Sequence, residues 1–395
     1  MNHSQAQPPR LREGDGETTA VLRGGTHLDR RSLIAMAGGA ALASFGVNQS
    51  AAAEGAATPS TDLKRVDAYT HFSSNRFLDF AEQQEGKPLV MRPQYALLKT
   101  LTDWKERLNL LDRNEIDMHV LVPVPWLEAF PSIASDRKLA AEAARLMNDE
   151  LAAFVSEQPK RFRAVAILPT VDPDAMVSEL HRATKELGFI GAYLAVGPTA
   201  KRTDHPDMDA LYKSITELDV TLWLHPSRPP MPEYLDEKVS KFVDWQALGW
   251  LHDTSSAMYR IVFAGVFDRY PGIRIVTHHA GGMLPTSAMR ADALWNLWEA
   301  GVAALPTKVS KPYINHFKNF YCDTAAFGYA PKVLEVALDF FGPEHVLFGS
   351  DTPFDVTQGQ YFTTETLRSI EAMPTSTDVR TAILSKNAAR VLRLS

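Results

Sequence analysis

From Arg65 onward the chain alternates short, β-branched apolar runs with longer stretches in which apolar residues recur every three or four positions. The short runs are Val66 to Tyr69, Met118 to Val122, Ala164 to Leu168, Phe189 to Leu194, Val220 to Leu224, Ile273 to Thr277, Asn319 to Cys322 and His345 to Phe348. Their length and composition predict strands, and their near-continuous apolar character predicts strands covered on both faces. The longer stretches, Trp104 to Arg113, Arg137 to Glu157, Asp174 to Leu187, Met208 to Leu218, Ser255 to Phe267, Thr286 to Trp298 and Pro331 to Phe340, carry a helical period. Alternation of β and α units predicts a parallel sheet covered by helices, and eight units predict an α/β fold closed into a (β/α)8 TIM barrel over residues 63–395. An open doubly wound sheet is the alternative, but no Gly-x-Gly-x-x-Gly follows any strand. Residues 73–100, rich in charge and proline, show no strong period. They read as an insertion after strand one, which in a barrel is the place of a lid over the mouth.

The first 53 residues break this pattern. Arg30-Arg31 precedes a Gly- and Ala-rich apolar stretch, Leu33 to Val47, and then Ser50-Ala51-Ala52-Ala53, a small-residue cleavage site. The stretch is too short and too glycine-rich for a membrane span. The order of its parts predicts a twin-arginine export signal over 1–53, a linker over 54–62 and a periplasmic mature protein; a tail with a chance Arg-Arg pair is the alternative.

Composition narrows the chemistry. The 395 residues carry a net charge of -6 with no basic block beyond the N-terminus, so nucleic acid is not an expected partner. Cys322 is the single cysteine, which excludes an internal disulfide and a thiolate cluster for zinc. Any metal must sit on His, Asp or Glu. Such residues gather just after certain strands: His71 after the first, His225 at the fifth, His278 and His279 at the sixth, Asp351 after the eighth. In a barrel these ends converge on one face. Imidazoles with a carboxylate suit zinc or another divalent first-row ion. Each piece has a plainer reading, a hydrogen-bonded loop histidine or an Asp cap on a turn. Their recurrence after four strands favours a site. Adjacent strand residues face opposite ways, so only one of His278 and His279 is expected to look inward.

Four segments carry a resemblance: "LHP" at 224–226, "AGVFDRYPGIRIVTHHAGGMLP" at 264–285, "LFGSDTPF" at 347–354 and "ILSKNAARVLRL" at 383–394. The chain resembles the amidohydrolase-like decarboxylases, the group of aminocarboxymuconate-semialdehyde and resorcylate-type decarboxylases, over nearly all of 65–394. The resemblance implies one divalent metal, zinc with manganese as the alternative, on His71, His225 and Asp351. It makes His279 the catalytic histidine with Asp351 as a proton shuttle, and His278 its outward neighbour. Arg107 matches an arginine that grips a substrate carboxylate; a solvated arginine on a helix face is the other reading. Where the family opens with His-x-His or Glu-x-His this chain has Tyr69-Thr70-His71. Tyr69 and His71 share a strand face, and a neutral phenol is a poor ligand, so Tyr69 is expected at the substrate. No lysine stands on "FIGAYLAV", so the site is expected to be mononuclear. The implied activity is non-oxidative decarboxylation of a small aromatic or dienoic acid, in a homo-oligomer of two or four chains. A hydrolase acting on an amide, lactone or carbon-carbon bond is the main alternative, and a catalytically silent binding protein a third.

Overall fold

The structure, a computed structural model, describes residues 65–301 and 309–394. The export signal and linker expected over 1–62 lie outside the described residues. The eight runs form β1 (Val66–Phe72), β2 (Met118–Pro123), β3 (Phe162–Ala164), β4 (Gly191–Val196), β5 (Thr221–Pro226), β6 (Arg274–Thr277), β7 (Tyr321–Asp323) and β8 (Val346–Leu347). They pair in parallel and in chain order, β1 to β3 and β4 to β8. Two single-residue bridges, Ala166 with Ala192 and Thr70 with Thr352, join these arcs into a barrel. At the second seam His71 N donates to the Thr352 carbonyl (2.8 Å) and Asp351 N to that of Tyr69 (3.0 Å). This seam sets the ends of the first and last strands side by side.

The boundaries follow local chemistry. Helices Trp104–Arg113, Arg137–Glu157 and Pro173–Lys185 each begin after an aspartate, Asp103, Asp136 and Asp172, whose side chain accepts from backbone amides of the first turn. The helix expected over 255–267 instead runs Gly249–Phe263 and stops before Gly265, at φ +71°. Residues 73–100 are more regular than their pattern suggested, with helices Asn75–Glu85 and Arg92–Leu97. Only Phe77, Leu78 and Ala81 of the first are buried, too few to print a helical period. Strand four begins later than expected, at Gly191, where a Cβ would overlap the Thr221 carbonyl of β5.

Arg107 is not a solvated residue of a helix face. It is fully buried, its Nε donates to the Thr100 carbonyl (2.9 Å), one terminal nitrogen donates to the His71 carbonyl, and the other lies 3.4 Å from His119 Nδ1. The guanidinium thus ties the turn at Thr100 to the end of β1. Arg107→Met should therefore lower stability by about 3 kcal/mol, the cost of leaving two buried carbonyls without donors. Chemical denaturation measures it; a raised KM with unchanged stability would favour the substrate role.

Candidate active site

Strand period puts Tyr69 and His71 on one face of β1, and both are buried. His71 Nδ1 donates to the Val122 carbonyl on β2 (3.3 Å), and His225 Nδ1, on β5, to the Pro226 carbonyl (2.7 Å). A carbonyl only accepts, so each bond puts a proton on Nδ1 and leaves Nε2 free for another partner. The two rings stand 5.3 Å apart. His71 Nε2 lies 2.7 Å from Asp351 Oδ1, and the other Asp351 oxygen lies 3.5 Å from His279 Nε2. Burial alone would raise the Asp351 carboxyl, but the adjacent His279 and His71 imidazoles outweigh that and hold it well below the usual carboxylate range. Asp351 and His279 both sit at positive φ, +62° and +58°. Such backbone is costly for a residue with a Cβ and collects at functional sites.

His278 departs from expectation. It does not face outward: it is fully buried, its ring stacks on Tyr69 at 3.3 Å and 15°, and it stands 5.9 Å from the ring of His225. The alternation rule fails because β6 ends at Thr277 and the chain then turns through positive φ at His279 and Ala280. Both histidines thus stay at the mouth. Asp323, the last residue of β7, was not singled out by the sequence. Its Oδ2 lies 2.5 Å from His278 Nδ1, while Oδ1 accepts from the amides of His279 (3.0 Å) and Ala325 (3.1 Å). Burial pushes Asp323 up to about 7 and His278 well below its ordinary value. The one signal available was an acid closing an apolar run. Gly349 gives the room: a Cβ there would come 2.8 Å from that of Asp323 and 3.0 Å from that of Tyr69.

Aromatic rings wall the site. Trp250 and Phe327 lie nearly parallel to the His279 ring at 6.1 and 5.1 Å, Trp126 stands 5.2 Å from His225, and Phe354 stands 5.1 Å from His71. None of the four was recognised from the sequence, where an aromatic residue in a loop looks like any packing residue.

Among the described residues no three His, Cys, Asp or Glu side chains stand arranged to hold a metal; His71 and Asp351 bond each other directly. The donor set nevertheless fits a divalent ion. With its Nδ1 proton given to Val122, the His71 Nε2 lone pair would face a carboxylate at 2.7 Å unless a proton or a cation lies between them. Nδ1 anchors of this kind are what fix metal-binding histidines.

The chain matches the family model described as Amidohydrolase over residues 106–394, well over half of its 395 residues. It is 31% identical over 302 residues to a gamma-resorcylate decarboxylase of Rhizobium radiobacter, covering 69% of this chain and 89% of that one. It is 33% identical over 306 residues to a gamma-resorcylate decarboxylase of Rhodococcus jostii, with the same coverage of 69% and 89%. A solved dihydroxybenzoic acid decarboxylase of a Polaromonas species, with bound manganese and the inhibitor 2-nitroresorcinol, superposes with a TM-score of 0.67 at 26% identity, over 84% of this chain and 97% of that one. With its barrel of parallel strands, and with imidazoles and a carboxylate gathered at the strand ends, the chain belongs to the amidohydrolase family.

Proposed function

We propose that this enzyme is a metal-dependent, non-oxidative decarboxylase of small aromatic acids that carry a hydroxyl beside the carboxylate. The observation that carries this reading is the placement of His279. Its ring stacks against both Trp250 and Phe327, its ring nitrogens have no close hydrogen-bond partner among the described residues, and its Nε2 stands 3.5 Å from the Asp351 carboxylate. An imidazole so placed is suited to pass a proton to substrate.

His71, His225 and Asp351 would hold the cation. The bound ion would supply a Lewis acid for the carboxylate and hydroxyl oxygens. Its identity is a divalent first-row ion; the manganese in the solved relative gives zinc no advantage over manganese. Trp250, Phe327, Trp126 and Phe354 hold a flat ring and exclude water. His279 delivers a proton to the ring carbon that bears the carboxylate. The bond from that carbon to the carboxylate then breaks, its electron pair restores the aromatic ring, and CO2 leaves; solvent returns the proton to His279, which Asp351 orients. Burial, then the Asp351 and Asp323 charges, push the Tyr69 phenol well above its ordinary value, so it stays protonated and can donate a hydrogen bond to substrate.

Hydroxybenzoic acids with the hydroxyl next to, or distant from, the carboxylate test this reading. The neighbouring hydroxyl should raise kcat/KM by about 10- to 100-fold, since one charge-assisted contact contributes roughly 1.5–3 kcal/mol. CO2 should appear in step with product, and product made in D2O should carry one deuterium at the vacated carbon. Turnover by hydrolysis without CO2 would overturn the proposal. Export to the periplasm belongs to the same reading, supported by Arg30-Arg31 and the apolar stretch after it. The homo-oligomer does too, supported by Met289, Leu297 and Trp298 exposed on helix Leu284–Gly301.

A further inference from the structure

The reaction leaves His278 without a part, yet it is among the most constrained side chains of the site. It is fully buried, and its Nδ1 lies 2.5 Å from an Asp323 carboxylate that two backbone amides already hold in place. Its Nε2 is buried and has no hydrogen-bond partner among the described residues. A buried ring nitrogen left bare costs about 1–3 kcal/mol, so a rigid support built to keep it bare calls for a ligand.

The neighbouring rings indicate which ligand. His278, His225 and His71 form a chain of imidazoles with centroids 5.9 and 5.3 Å apart. Imidazoles bound to one ion at roughly 2.0–2.1 Å have centroids about 5 Å apart, so small shifts would bring all three to a common point. All three also have Nδ1 anchored, two on carbonyls and His278 on a carboxylate. A carboxylate behind an imidazole raises its basicity and fixes its tautomer, the usual support of a metal ligand. His279 differs: aromatic rings stack on it, and its Nδ1 has no hydrogen-bond partner among the described residues. That is the setting of a group that must gain and lose a proton. Tyr69 lies flat on His278 and occupies the strand position beside His71, but a protonated phenol is a poor donor to a metal.

We propose that His278, locked by Asp323, is a fourth metal ligand with His71, His225 and Asp351, filling the coordination position that Tyr69 cannot. This assignment rests on the metal dependence proposed above, and its test needs no substrate. The full chain, stripped with a chelator, is titrated with Mn2+ alone, free ion being counted by its paramagnetic resonance, and with Zn2+ against a chromophoric chelator. The wild type should bind one equivalent. His278→Ala should weaken binding by at least about 100-fold, and Asp323→Asn by about 10- to 100-fold, as loss of a supporting carboxylate does. Tyr69→Phe should stay within about threefold of the wild type, since a ring without its hydroxyl still stacks. If His278→Ala does not fold, His278→Gln carries the test: the visible absorption of its Co2+ form should differ from that of the wild type. Wild-type affinity and an unchanged Co2+ spectrum in the His278 variants, or loss of metal in Tyr69→Phe, would overturn the assignment. Metal held through His278 with no CO2 from any aromatic acid would overturn the decarboxylase reading alone. A wild type that binds no divalent metal would overturn both.

Discussion

Replacing His279 with Ala should cut CO2 release by about 10²- to 10⁴-fold, the range a positioned acid or base contributes, while one equivalent of metal stays bound. His279 makes no hydrogen bond that would fix it as a ligand, and its contacts are the faces of Trp250 and Phe327 and the Asp351 oxygen at 3.5 Å. Its backbone stands at φ +58°, so Ala adds strain of its own. His279→Asn is the companion variant, because Asn tolerates the left-handed region yet cannot serve as an acid near neutral pH. Both should also lose deuterium transfer from D2O to product. Near-wild-type turnover in either one, with metal bound, would remove His279 from the proton step.

Asp351→Asn should have the widest effect of any single change, weakening metal binding by at least about 100-fold and turnover by about 10³-fold or more. One carboxylate serves both tasks here, with Oδ1 at His71 and Oδ2 at His279. Asn keeps the shape and accepts φ +62°, so the variant should fold and the loss should report charge. Because the neighbouring His279 and His71 imidazoles hold the folded carboxyl below its unfolded value, its contribution to stability is present at pH above about 4 and is lost only as pH falls through the depressed value. A thermal melt of wild type and variant across acid pH checks the sign: the two should converge in strong acid and separate as pH rises. Tight metal binding by Asp351→Asn would show that His71 and His225 suffice without it.

The order of strands and helices, and with it the barrel, was legible in the chain alone, because helical and strand periods are local and each unit prints its own. His71, His225 and Asp351 were legible for the same reason: each closes an apolar run, and in a barrel the ends of such runs meet. What each residue faces depends on contacts between distant segments. Arg107 reads as a surface residue on a charged helix, and it is buried only because the turn Lys99–Leu101 and the end of β1 bring their carbonyls to it. His278 reads as outward by strand alternation, but alternation holds only while the strand lasts, and here the chain leaves it one residue earlier. Asp323 carried almost no signal, since the imidazole that gives it meaning lies 45 residues away and reaches it only across the pairing of β6 with β7. Period and residue type are properties of a segment, whereas the direction of a side chain past a strand end, and the partner waiting there, depend on where the other strands stop.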